Sequence, residues 1–187
     1  MIFLVGPHCS GKTRISKIFS WAQFLCIDLG PLLREIHRSI SPHTSFADWI
    51  RVGEDTKGRH FTDSQLAKEI SQQVSNTSGK RWQDLLIVGN RSLQGVRYLI
   101  RKIDPYRGHK NVIVWVEAST AMLYRRYSVR NPDCLLSYPD FLNLLEIDDR
   151  LGLLGLKDAA EFKLANIGSE DDLEIRVRAL MECLGYL

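Results

Sequence analysis

The segment from Gly6 to Thr13 reads Gly-Pro-His-Cys-Ser-Gly-Lys-Thr and fills every fixed position of the pattern G-x-x-x-x-G-K-[ST], directly after the apolar run Ile2-Phe3-Leu4-Val5. Glycines at both ends let the backbone wrap so that several N–H groups point at one centre, and a following helix adds the positive end of its dipole. This works only if a buried strand delivers the chain into the loop and a helix carries it away. The sequence meets both conditions, because Ile15, Ile18, Phe19 and Ala22 recur at helical spacing after Lys12. A loop of this kind encloses a polyphosphate. The Lys12 ammonium reaches the β- and γ-phosphates, and the Thr13 hydroxyl is placed to hold Mg²⁺. All eight residues, Gly6, Pro7, His8, Cys9, Ser10, Gly11, Lys12 and Thr13, are thus candidate contacts for ATP.

The rest of the chain alternates apolar runs of strand length with helical patterns. Phe24 to Ile27 ends at the turn Asp28-Leu29-Gly30-Pro31, after which Leu32 to Ile36 reads as helical. Residues 39–63 are more polar and broken, with Phe46, Trp49, Ile50 and Val52 marking a short helix inside an expected mobile flap, about 31–61. Thr62 and Asp63 can cap a helix over 64–74, which the polar cluster Ser75 to Gly79 ends. Leu85 to Val88 and Asn111 to Val116 are continuous apolar runs, the mark of strands buried on both faces. Helices are expected over 94–103, 120–129 and 141–151, with Pro105 to His109 as a turn and 131–140 as loop. Phe162 to Asn166 is a last strand, and Leu173, Val177, Leu180 and Leu184 give the closing helix its apolar face.

This order predicts a three-layer α/β fold of the P-loop NTPase type, a mostly parallel five-stranded sheet flanked by helices, in one domain over 1–187. Ligands of such sheets bind beyond the carboxyl ends of the strands. Gly6 to Thr13, Asp28 to Arg34, Gly89 to Arg91, Glu117 and Asn166 to Ser169 should therefore converge on one cleft.

Composition narrows the classes. With 25 Lys and Arg against 22 Asp and Glu, the net charge of +3 gives no sign of a nucleic-acid-coating surface or a polybasic membrane anchor. Cys9, Cys26, Cys134 and Cys183 form neither a zinc framework nor a disulfide scaffold, and no stretch approaches the ~18 apolar residues that span a bilayer. The apolar start lacks a basic leader region and runs straight into the loop, so a cytoplasmic protein is expected. His8 and Cys9 occupy variable loop positions, although Cys9 beside a helix N-terminus is placed for a lowered thiol pKa.

Beyond the loop, the chain resembles the adenylate-kinase-like nucleoside monophosphate kinases, especially the small branch with dephospho-coenzyme A kinase and related archaeal-type nucleotide kinases. Asp28 to Glu35 is similar to the family's second-strand turn with its acceptor-binding arginine. Gly89-Asn90-Arg91 with Val96 and Tyr98-Leu99 resembles the third-strand end. Arg125, Arg126 and Arg130 resemble the arginine helix and a lid, about 126–150, and Asn166-Ile167-Gly168-Ser169 resembles the turn near the adenine base. The resemblance implies ATP-dependent phosphoryl transfer to a nucleotide or nucleotide-like small molecule. It implies Lys12, Asp28, Arg91, Arg126 and Arg130 as catalytic, Arg34 and Arg91 with Asp28 on the acceptor, and Arg126, Asn166 and Gly168 on the nucleotide. Planar guanidinium groups suit this task, since they bind phosphate bidentately and stay charged.

Two positions depart from the family pattern: Pro31 and Val88 stand where aspartates are common. Asp28 is the remaining candidate for general base or outer-shell magnesium ligand, or else a turn-forming residue, with Glu117 and Asp148 as weaker substitutes. The departures keep a second class open, a nucleotide-binding regulatory or partner protein with little transferase activity.

Overall fold

The computed structural model describes residues 1–77, 84–104, 110–133 and 135–186. The expected turn at 105–109, part of the 75–79 cluster and Cys134 therefore lie outside the described residues. Five strands, β1 (Ile2–Val5), β2 (Leu25–Asp28), β3 (Leu85–Val88), β4 (Val112–Glu117) and β5 (Phe162–Ala165), form one sheet in the order β2-β3-β1-β4-β5, and all four pairings are parallel. β1 lies at the centre with every residue buried, so its alternate side chains feed two separate cores. Phe3 and Val5 join the core beneath α2 (Leu29–Ile40), α3 (Phe46–Lys57), α4 (Phe61–Asn76), α5 (Leu93–Ile103) and α8 (Leu153–Asp158). Ile2 and Leu4 join the opposite core beneath α1 (Lys12–Trp21) and α9 (Glu170–Leu184).

Five of the helices begin on a serine whose hydroxyl accepts a first-turn backbone N–H: Ser45, Ser92, Ser119, Ser137 and Ser169. Ser169 and Asp172 complete a reciprocal capping box. Asp28 caps α2 in the same way, through Gly30 N–H, so that helix starts at Leu29 rather than after Pro31. Proline is tolerated in a first turn, where its missing N–H is not needed. By contrast Thr62 and Asp63 lie inside α4, whose N-cap is His60. Helix α7 (Tyr138–Arg150) opens inside the segment expected as loop, again with a proline in its first turn, and α8 was not anticipated.

α6 (Thr120–Arg130) and α7 form a hairpin around their own aromatic cluster, in which Tyr124 and Tyr127 lie 5.4 and 5.2 Å from the buried Phe141 ring. Across the sheet top, α3 packs on α4 through Trp49 and Phe61, both in the main core, with ring centroids 5.0 Å apart. These aromatics are core packing and do not line the cleft described below. Gly53 lets the two helices approach, because a Cβ there would run into the Phe61 ring. Gly53→Ala is expected to lower stability by about 1–3 kcal/mol through overpacking. A urea melt checks this, and an unchanged midpoint contradicts it.

Candidate active site

Beyond the carboxyl ends of β1, β2 and β3 lies a cleft of about 420 Å³. From the loop it takes Gly6, His8, Cys9, Gly11, Lys12 and Thr13, while Pro7 lines a different groove and Ser10 is fully buried. From β2 and α2 come Asp28, Gly30, Pro31 and Arg34; from the β3 end come Gly89, Asn90 and Arg91; from the hairpin come Arg126, Arg130 and Asp148. Three of the segments expected to converge thus do so. Glu117 and Ile167 line a second groove on the far side of Pro7, and Gly168 and the exposed Arg125 line neither.

The loop is held in shape from both flanks. Gly11 adopts φ 98°, a left-handed conformation that a side chain resists, and Cys9 adopts φ 61°. Asn166, at the end of β5, donates through Nδ2 to the Ser10 carbonyl at 2.7 Å. Arg126 donates to the Asn166 carbonyl and Oδ1 at 3.1 and 3.2 Å and to the Ser10 carbonyl at 3.4 Å. Inside the loop, Lys12 Nζ donates to the carbonyls of Gly6 and Pro7, each at 2.8 Å. Burial lowers its pKa from 10.5 to about 8, against the opposing pull of Asp148 and Asp28. Burial also pushes the Cys9 thiol up, overriding Arg130, Lys12 and Arg126, so the lowered value expected beside a helix N-terminus does not arise.

On the opposite flank His8 meets the hairpin. Its Nδ1 pairs with Asp148 Oδ2, and its Nε2 lies 3.4 Å from an Arg91 guanidinium nitrogen. Arg91 also stands 3.4 Å from Asp148 Oδ1. Asp148 is only 3% exposed, although Ile147, Asp149 and Arg150 beside it are exposed. Asp28 uses Oδ1 to cap α2 at 3.1 Å, while also lining the cleft. Asn90 is buried with no hydrogen bond to its Oδ1. Sequence reasoning placed Asn90 in a converging segment without giving it a role, and ranked Asp148 low because nothing local fixes which side of α7 turns inward.

Counted over the described lining, the cleft gathers Lys12, Arg34, Arg91, Arg126 and Arg130 against the carboxylates of Asp28 and Asp148. Such an excess of fixed positive charge in a concave, partly desolvated site suits a polyanion. Among the described residues no group of three or more His, Cys, Asp and Glu is placed to hold a metal, and no helix is long and apolar enough to cross a membrane.

No protein-family model matches this chain, and no curated protein matches it in sequence. Solved structures do. A shikimate kinase from Acinetobacter baumannii, in complex with shikimate, aligns over 98% of this chain and 92% of its own, with 19% identity and a TM-score of 0.53. TT1252 from Thermus thermophilus aligns over 100% and 96%, with 17% identity and a TM-score of 0.64. A gluconokinase from Sinorhizobium meliloti 1021 aligns over 99% and 95%, with 12% identity and a TM-score of 0.57. What is shared at such identities is the architecture: a five-stranded parallel sheet, ordered β2-β3-β1-β4-β5 and flanked by helices, like that of the P-loop kinases.

Proposed function

We propose that this chain is an ATP-dependent phosphotransferase that moves the γ-phosphoryl group to a nucleotide or nucleotide-like small acceptor. The observation that carries the reading is the meeting of Lys12 with arginines from three separate elements, Arg34, Arg91 and the Arg126–Arg130 pair, around one cleft. Phosphoryl transfer is mostly a matter of positioning and charge neutralisation, and arginines arriving from different elements supply both. The Asn166–Arg126 side of the loop takes the ATP base, with Gly168 nearby. The Asp28–Arg34–Arg91 side takes the acceptor, and Lys12 lies between them.

The segments 31–61 and 126–150 serve as flap and lid in this reading, and their closure excludes the water that would otherwise take the phosphoryl group. Thr13, Asp28 and Asn90, all among the residues of the cleft, carry oxygen donors of the kind Mg²⁺ prefers, and the Asn90 Oδ1 is buried without a hydrogen bond. When bound with ATP, the ion neutralises charge on the phosphates. Holding Asn90 buried with an unsatisfied oxygen is costly unless a partner completes it.

A second reading, a nucleotide-binding regulatory protein, is favoured by one observation: the third strand ends in the fully buried Val88 instead of a carboxylate. Incubation with ATP, Mg²⁺ and a panel of nucleoside monophosphates, deoxynucleotides and dephospho-coenzyme A separates the two. Acceptor-dependent ADP release is expected. Nucleotide binding with no ADP release would instead support the regulatory protein, and release that ignores the acceptor would mean an ATPase.

A further inference from the structure

We propose that His8 and Asp148 form a proton-accepting pair, and that the acceptor's attacking group is therefore a hydroxyl and not a phosphate. The inference rests on the phosphotransferase reading and narrows it. Its starting point is the orientation of one imidazole ring. Nδ1 faces the Asp148 carboxylate, which can only accept, so Nδ1 carries the proton; Nε2 faces the Arg91 guanidinium, which can only donate, so Nε2 presents its lone pair. Both neighbours select the same tautomer. The result is an oriented base with a buried carboxylate behind it, the arrangement in which a carboxylate holds the ring and stabilises the imidazolium that forms on proton uptake.

Placement supports the role. His8 contacts Arg91 and lines the cleft with Asp28 and Arg34, the groups assigned to the acceptor in this reading. The charged groups around it come from every neighbouring element: Asp148 from α7, Arg91 after β3, Lys12 from α1, Asp28 and Arg34 around the start of α2, and Arg126 and Arg130 from α6. Asp148 itself is drawn inward from an otherwise exposed stretch of helix, and its Oδ1 has no hydrogen bond, only the 3.4 Å ion pair with Arg91. Burying a carboxylate is costly unless it is paired, and here His8 and Arg91 supply the pairing. Arg91 is half exposed, so an anionic group on the acceptor can draw it off, leaving Nε2 open toward the attacking atom.

Chemistry then decides the acceptor. A phosphate monoester, whose second pKa is about 6, is already a dianion near neutrality and gains nothing from a base. An alcohol must lose its proton as it attacks. In the step proposed here, the hydroxyl oxygen bonds to the γ-phosphorus, the bond from that phosphorus to the β,γ-bridging oxygen breaks, and the electron pair leaves with ADP. The hydroxyl proton passes to His8 Nε2 and then to solvent. The substrate class is a small molecule bearing both a hydroxyl and an anionic group for Arg34 and Arg91.

The test uses the full chain with ATP, Mg²⁺ and two acceptor sets. One is nucleoside monophosphates; the other, dephospho-coenzyme A and nucleoside 5′-methylphosphates, offers hydroxyls but no phosphate monoester. Phosphorus NMR reads whether the product is a phosphate ester or a phosphoanhydride. Ester formation is expected, with His8→Gln lowering kcat by about 10²-fold and flattening the acidic limb of the pH profile. Asp148→Asn should lower kcat by about tenfold. An anhydride product, or a pH profile unmoved in H8Q and D148N even where their melting temperatures fall, overturns this inference while leaving phosphotransfer intact. Failure of every acceptor to yield product overturns both.

Discussion

Replacing Lys12 with alanine is expected to reduce ATP turnover by about 10²- to 10³-fold or more while the protein still folds. A donor aimed at charge that develops in the transition state is worth about that much in related electrostatic sites. The ammonium is also the central cation of the cleft, flanked by Asp28 and Asp148 and held over the Gly6 and Pro7 carbonyls. Turnover and ATP affinity that match the parent would contradict the assignment of the loop.

The same lysine gives a pH signature. Its pKa in the folded protein is about 8, below the 10.5 of a free side chain, so the buried charge opposes folding below pH 8. That penalty disappears as pH rises from 8 to 10.5, and this group's contribution to stability improves over the same window. Binding a polyphosphate supplies the missing counter-charge and raises the pKa again. Between about pH 8 and 10, ATP binding must then draw a proton from solvent, and affinity falls by up to tenfold per pH unit. Calorimetry at pH 9 in two buffers of different ionisation enthalpy should read close to one proton taken up, and zero uptake would contradict this account.

Gly11→Ala is the second large effect. At φ 98° an added Cβ strains the backbone, and at this position it would also collide with the Asn166 side-chain amide. Relief means moving Asn166 off the Ser10 carbonyl and disturbing the Arg126 contacts on the same residue. A loss of about 2–4 kcal/mol in stability and at least about tenfold in ATP affinity is expected. If the collision is the cause, Asn166→Gly on top of Gly11→Ala should recover part of the stability, and a double-mutant cycle in urea measures the coupling. Strict additivity would mean that backbone strain alone is responsible.

The parts of this architecture that were legible in the sequence are those whose burial is uniform or whose punctuation is chemical. β1, β3 and β4 announce themselves as unbroken apolar runs because helices cover both of their faces. The loop and α1 are legible because only glycine and lysine serve at those positions. Where one residue type serves two ends, the reading fails. Pro31 suggested a turn and 131–140 a loop, yet Pro31 and Pro139 each sit in the first turn of a helix. α8 has six residues around Gly155, too short for a period to show, and only its buried Leu153 and Leu156 fix it against the core. Asp148 was visible as an acidic residue on a helix but not as a buried one, since its partner His8 lies 140 positions away. The approach of α7 to the loop is a tertiary fact with no local trace.

The brace between Asn166 and the Ser10 carbonyl spans 156 positions of the chain. It is delivered by β5, an edge strand that pairs with β4 alone. A nascent polypeptide that has not yet reached Asn166 therefore already possesses the entire Gly6–Thr13 stretch without the clamp that shapes it. Termination after Ala165 would leave every letter of the motif in place and remove the contact that braces it.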